Sequence, residues 1–398
     1  MMTTVTAEQL VHVPPALAYR AFTNATSLRE WLCDVATAAP HVGGRMYLWW
    51  NGDFYSSGHY RVLEPDRKVA FRWYSNIDPG PTDITVTFTG QDGGTLVRME
   101  HEVPDDPAWE LKAQNFQNEW QSSLRNLASV LETGIDRRIA DRPMLGILPG
   151  DFTPEQARQL GVPVNVGVRL DGVVDGMGAQ RAGLQKDDVV VSLAGRPVTG
   201  DPGSFPAALA GKKGGDPVEV VFYRGPEQHT VTMELARRPM PDVPADPAEL
   251  AVQARLKYEA AFAALVSCFT GITDAQAATR PAPGEWSALD VLAHLLQGER
   301  GLHFFIADLI GGYERTSDEW GGNIEAHLKA TVSVYPTVID MLNALERANE
   351  ESLLLAAALP PEFAANKGSY YRVGNWLLLN DNHVYSHIPQ IQAALAAA

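Results

Sequence analysis

Met144-Leu145-Gly146-Ile147, then Ala179-Gln180-Arg181-Ala182-Gly183-Leu184-Gln185-Lys186-Asp187-Asp188, then Val218-Glu219-Val220-Val221-Phe222-Tyr223-Arg224 set the organisation of the chain. They lie within about Arg142 to Arg238, where short alternating apolar runs recur between glycines and prolines. Alternation with period two reads as strand, and glycine or proline clusters read as turns. Strands are expected at Leu145–Leu148, Val164–Leu170, Asp187–Leu193, Val218–Tyr223 and Thr230–Leu235, the last two as a hairpin around Gly225-Pro226. Thr153-Pro154-Glu155 reads as a helix start: a capping hydroxyl, proline at the first position, and an acid near the positive end. Phe205 to Leu209 reads as a second short helix. The stretch is a compact β-rich module between two segments of different character.

With 398 residues, two or three domains are expected. Net charge is −16, spread unevenly. Lys+Arg minus Asp+Glu is 11 − 17 for residues 1–137, 12 − 12 for 138–238, and 9 − 19 for 239–398. Such an acidic chain repels nucleic acid and anionic membrane, so neither is an expected partner. The neutral centre is the part least hostile to an acidic peptide terminus. The two cysteines, Cys33 and Cys268, fall in different segments, which argues against a structural disulfide and for a reducing, cytoplasmic setting. No signal peptide and no membrane span are expected.

In the first segment a strand at Thr3–Val13 ends at Pro14-Pro15 and short helices follow at Ala16–Phe22 and Leu28–Leu32. Period two then sets in: Arg45–Trp50, Gly58–Leu63, Lys68–Tyr74, Asp83–Thr89 and Thr95–Val103, with Asn51-Gly52-Asp53 as a hairpin turn. A helix over about Ala113–Glu132 closes the segment, with Phe116, Trp120, Leu124, Leu127 and Val130 at helical spacing.

Arg238 to Pro247 is proline-rich and is expected to be an extended, semi-rigid spacer. Beyond it strand signals vanish. Helices are expected over Ala248–Phe269, over Ser287 to about Ile310 with a Ser287/Asp290 capping box, from near Asn323 to about Leu359 with a kink or break at Pro336, and over Val373–Leu395. Four amphipathic helices make a bundle. On the last helix His383 and His387 are four apart and share a face, and His294 sits on an apolar side of the second. A bundle can bring three imidazoles together, a donor set suited to zinc, nickel or another divalent transition metal. The competing reading is three half-buried histidines bridged by water. No clear general base or nucleophile is evident: Asp290 and Glu299 are candidates, but each reads rather as a solvated helix charge.

Each segment resembles a known family. Pro14, Trp31, Gly43-Gly44, Gly58, Gly93-Gly94-Thr95 and the Trp120–Leu127 helix resemble the START-like helix-grip superfamily, within it the domains related to the activator of the heat-shock-protein ATPase. The resemblance implies a cavity for a small apolar ligand, or a client surface. Trp31, His59, Trp73, His101 and Trp120 are the candidate lining, unless the aromatics simply fill the core.

Leu145-Gly146-Ile147, Thr153 to Ala157, Ala182-Gly183-Leu184, Asp187 to Val190, Gly195 and Gly215-Asp216 resemble the PDZ domain of HtrA-type proteases, although no Gly-x-Ser-x-Gly stretch accompanies them. That implies binding of protein C-termini or extended peptides by strand addition. The carboxylate would meet Leu145, Gly146 and Ile147, and the last side chain a slot by Phe205, Ala208 and Leu209. Pro206 is unusual in that helix.

Trp286-Ser287, His294-Leu295 and His383-x-x-x-His387-x-x-Gln390 resemble the DinB-like bundle superfamily. The resemblance implies a metal at His294, His383 and His387, serving thiol-dependent transfer in some members. Ile388-Pro389 departs from the basic and glycine residues usual there.

The expected architecture is multidomain α+β: a helix-grip START-like domain (1–137), a PDZ domain (138–238), a linker (239–247) and an up-down four-helix bundle (248–398). The expected function is a cytoplasmic binding protein joining a peptide reader, a ligand or client domain and a metal-binding bundle. The alternative is a metal-dependent enzyme of thiol or hydrolytic transfer whose other domains recruit substrate.

Overall fold

The computed structural model describes residues 2–201, 203–315 and 324–398. The expected helix start near Asn323 lies outside them. The chain forms two compact units. Met1–Asp136 and Pro241–Ala398 make one, and Arg137–Met240 the other.

The first unit opens with β1 (Met2–Val11), α1 (Pro15–Thr23), α2 (Ala25–Trp31), β2 (Val35–Ala38), β3 (Arg45–Trp50), β4 (Phe54–Glu64), β5 (Lys68–Ser75), β6 (Thr82–Gln91), β7 (Gly94–Pro104) and α3 (Pro107–Thr133). The seven strands form one antiparallel sheet in the order β1-β7-β6-β5-β4-β3-β2. α3 packs on β1 and β7 and buries Phe116, Trp120, Leu124, Leu127 and Val130. It starts at Pro107, six residues earlier than the apolar stripe suggested. Asp106 caps it by accepting from Ala108 N–H, and Gly134 ends it in the left-handed region. The short β2 had no evident alternation in the sequence.

The second unit begins with α4 (Arg137–Ala140) and continues as β8 (Ile147–Gly150), α5 (Pro154–Leu160), β9 (Val168–Val173), α6 (Gly178–Arg181), β10 (Val189–Leu193), β11 (Arg196–Pro197), α7 (Ser204–Ala208), β12 (Pro217–Arg224) and β13 (Glu227–Glu234). Its sheet runs β13-β12-β10-β9-β8, with β11 beside β10. Thr153 and Gln156 cap α5 reciprocally. Arg224 forks onto Asp188, whose side chain is buried.

The first unit resumes with α8 (Pro247–Ser267), α9 (Asp274–Ala278), α10 (Ala288–Ile310), α11 (Ile324–Val334), α12 (Val338–Ala357), α13 (Pro361–Ala365) and α14 (Lys367–Ala396). α8 packs on α12 and α14, and α10 on α11, α12 and α14, which closes a bundle. The third expected helix is divided at Pro336 into α11 and α12, because proline can neither donate to the preceding turn nor avoid its carbonyl. α14 starts at Lys367 rather than Val373 and runs through Pro389.

The expected spacer is held down from Pro241 on. Tyr371 OH donates to Pro241 O (3.1 Å) and Tyr370 OH to Pro244 O (2.8 Å). The start of α14 also meets the N-terminal sheet segment. Ser369 OH donates to buried Glu30, and Asn24 donates to Gly312 O (2.9 Å). Glu314 takes both forks of Arg372 (2.7 and 2.8 Å) and Arg29 (2.8 Å). The two ends of the chain thus share one body.

Candidate metal centre

α10 and α14 lie side by side, and their period fixes which side chains meet. His294 projects from α10. His383 and His387, one turn apart, project from α14. Their ring nitrogens converge: His294 Nε2 is 3.1 Å from His383 Nε2, which is 3.2 Å from His387 Nε2. One ligand atom from each lies within 4.8 Å of the others. All three side chains are half-buried, and Trp286 covers the His294 ring at 5.1 Å between centroids.

The donor set fits a divalent transition metal. An ion held tetrahedrally at about 2.05 Å would separate neighbouring nitrogens by roughly 3.3 Å, close to what the rings show. Burial lowers the His294 pKa, with His387 adding to the effect. Burial also lowers that of His383, to about 4, helped by His387 and His294. Neutral imidazoles are what a metal requires. His387 Nδ1–H donates to Gln390 Oε1 (2.8 Å), which leaves its Nε2 lone pair aimed at the group.

Asp290 and Glu299 depart from the solvated charges expected of them. Asp290 is buried, capping α10 with Ser287 and pairing with Arg280 at 3.0 Å. Glu299 is 3% exposed. It accepts from Tyr258 OH (3.1 Å) and Ser352 OH at Oε1, and from Asn380 (2.9 Å) at Oε2. Burial raises its pKa, against the pull of those three donors. The signal was present in the sequence. Glu299 is spaced at −7, −4, +3 and +7 from Leu292, Leu295, Leu302 and Ile306, all buried. His303, nine residues from His294 and so on the opposite side of α10, bonds Ser352 (2.9 Å) and Ala348 O (3.1 Å).

In the N-terminal sheet segment a cavity of about 530 Å³ lies between the β3–β4 end of the sheet and α3. Trp50, Phe54, Trp73, Phe116 and Trp120 give it an apolar wall, with Asp78, Lys112 and Glu119 also on it. Of the five residues expected to line a cavity, Trp73 and Trp120 do. Trp31 is instead core, packed on Phe22 and donating to Ala21 O. His101 is fully buried behind the wall. Its Nδ1 accepts from Trp120 Nε1–H (3.1 Å) and its Nε2–H donates to Thr82 (2.7 Å). His59 is exposed, because strand alternation beside buried Tyr60 turns it to the other face.

In the second unit Leu145 and Gly146 precede β8 rather than forming it. Gly146 has φ +76°, and a Cβ there would lie 2.3 Å from Met177 Cβ. Val174 N–H donates to Gly146 O (2.8 Å), so that pair faces β9. Ile147, opposite Val173, therefore turns its N–H and C=O to the other edge. Among the described residues β8 has no neighbour there. Ile147, Phe205 and Leu209 pack against one apolar cluster that includes buried Ala208.

Three families match successive parts of the chain. Residues 12–132 match the activator of Hsp90 ATPase homolog 1-like protein family, 143–235 the PDZ domain, and 257–391 the DinB superfamily. No curated protein matches. Among solved structures, a Mesorhizobium loti protein is 24% identical over 33% of this chain and 97% of its own, with a TM-score of 0.31. The Aha1 dimer from Colwellia psychrerythraea is 20% identical over 33% and 96%, at 0.30. An HSP90 activator from Plasmodium falciparum is 23% identical over 33% and 96%, at 0.27. Among the described residues no helix is long and apolar enough to cross a membrane.

Proposed function

We propose that this chain is a multidomain binding protein whose helical bundle holds one divalent transition metal, zinc or nickel, on His294, His383 and His387. The observation that carries the reading is the approach of three Nε2 atoms from two helices to 3.1 and 3.2 Å. When bound, the ion would supply Lewis acidity and an anchoring charge. The chain's own part is to hold three neutral rings at one point.

The likeness to PDZ domains and the outward N–H and C=O of Ile147 support a peptide groove on β8. Its occupants would be protein C-termini or extended peptides, with the last side chain against Phe205, Ala208 and Leu209. The aromatic cavity by Trp73 and Trp120 supports a small apolar ligand, or a client, for the N-terminal segment. Cys33 and Cys268 form no disulfide, which supports a cytoplasmic setting.

The binding reading is preferred to the enzyme reading because of where Glu299, a buried carboxylate of the bundle core, stands. The small cavity beside Glu299 takes in His383 but neither His294 nor His387, on the side of the ring away from the converging nitrogens. That position suits support of a ligand better than proton transfer at an open coordination place.

Elemental analysis of protein purified without a metal column tests the reading. Near-stoichiometric metal is expected, with at least a tenfold loss in His383→Ala and His387→Ala at native helix content. Less than a tenth of an equivalent after zinc and nickel are offered would overturn it.

A further inference from the structure

Resting on that metal reading, we propose that Glu299 is the positioning residue of the centre: its carboxylate, through one water molecule, receives the Nδ1–H of His383 and so keeps His383 Nε2 free for the ion.

The inference starts from His383. Its Nε2 is engaged by His294 and His387, so its Nδ1 points away from them. On that side lies Gly298, whose missing Cβ would stand 3.3 Å from His383 Cε1 and 3.6 Å from Nδ1. Glycine at this place lets α10 come close to the ring. The next residue on α10 is Glu299. His383 and Glu299 both line a small cavity of about 20 Å³, whose wall also carries Tyr258, Asn380 and Asp381 beside apolar side chains such as Phe262 and Val384. A cavity of this size with several polar groups on its wall holds about one water.

Glu299 has one acceptor position left for that water. Tyr258 and Ser352 donate to Oε1, and Asn380 alone donates to Oε2. A carboxylate offers about four such positions. The three donors fix its orientation, so the fourth direction is set by the bundle and not by rotation of the side chain.

Asp381 is the competing acceptor. Its Oδ2 faces Lys257 Nζ at 3.3 Å and its Oδ1 accepts from Asn382 N–H at 3.0 Å. The arrangement gives His383 what Gln390 gives His387: a fixed partner behind the ring. Metal-ligating imidazoles ordinarily need such a partner, and its loss costs about 10–100-fold in affinity.

The test is competition of zinc against a chromophoric chelator, with the full chain and with Glu299→Gln and Asp381→Asn. In Glu299→Gln the amide oxygen keeps Tyr258 and Ser352 in the Oε1 place, and the NH₂ takes the Oε2 place, where it faces Asn380 and the water with a donor instead of an acceptor. Its zinc affinity is expected to fall 10–100-fold, and that of Asp381→Asn less than threefold. Proton–nitrogen NMR of zinc-loaded, histidine-labelled native protein should show a slowly exchanging His383 Nδ1–H. Glu299→Gln should lose that protection, while Gln390-bonded His387 keeps its own. Native zinc affinity in folded Glu299→Gln, or a fast-exchanging His383 Nδ1–H in the native protein, overturns the proposal and leaves the metal reading standing. A native chain that binds no zinc removes both.

Discussion

His101 is a fully buried histidine whose protonation costs the fold stability. Burial holds it near pKa 4 against an ordinary 6.5, with Asp78 opposing. Between those values the unfolded chain takes a proton that the folded chain refuses. Its contribution is therefore complete above about pH 6.5 and declines as pH falls, by about 3 kcal/mol at pH 4. Urea midpoints should drop from pH 7 to 4.5, and His101→Gln should remove this part of the slope. An identical slope in the variant would refute the assignment. At this scale the candidate site was half legible. His383 and His387 declare a shared face through their spacing, and His294 through its apolar neighbours. Glu299 was misread because its donors Tyr258, Ser352 and Asn380 come from three other helices, although its own place in the Leu292–Ile306 stripe signalled burial. His59 was misplaced by neglect of strand parity: Met46, Leu48 and Tyr60 are buried, which puts Arg45 and His59 outside together.

Elements were read well where caps or periodicity are local. α5, α8, α10 and the β12–β13 hairpin stand close to where glycine, proline and hydroxyl signals put them. α3 was cut short because its first turns carry only Trp109 as a buried apolar residue, so the stripe began late while the Asp106-Pro107 start signal was passed over. β8 was placed two residues early because Leu145 and Gly146 look apolar, yet the left-handed Gly146 breaks the strand before Ile147. The same geometry yields a prediction. Gly146→Ala combines positive φ with a Cβ 2.3 Å from Met177. It should destabilise the second unit by about 1–3 kcal/mol. It should also weaken binding of a fluorescent peptide with an apolar C-terminus at least tenfold. Full stability with unaltered peptide affinity would contradict both the strain and the groove.

For the molecule as a whole, three textures along the chain were legible: alternating strands, a glycine-punctuated β module, and helices. Their fusion was not. Glu30 and Ser369 are 339 positions apart, and no local pattern announces that they touch. Glu314 between Arg29 and Arg372 is the most concentrated charge at that junction, with side-chain exposures of 10%, 19% and 28%. Removing Glu314 takes from Arg372 and Arg29 the carboxylate they share, with Glu30 and Asp136 still acting on Arg372. Glu314→Ala should therefore cost about 3 kcal/mol in urea unfolding of the first unit. A loss under 0.5 kcal/mol would show the junction to be dispensable.

The junction also dictates a timetable for biosynthesis. The N-terminal sheet and α3 have left the ribosome long before Ser369 exists. At 5–20 residues per second the wait from the end of α3 is roughly 10–50 s. Throughout that interval Glu30 stands at the nascent surface without its hydroxyl partner, so a chain stalled before α14 presents chaperones and proteases with an unfinished seam.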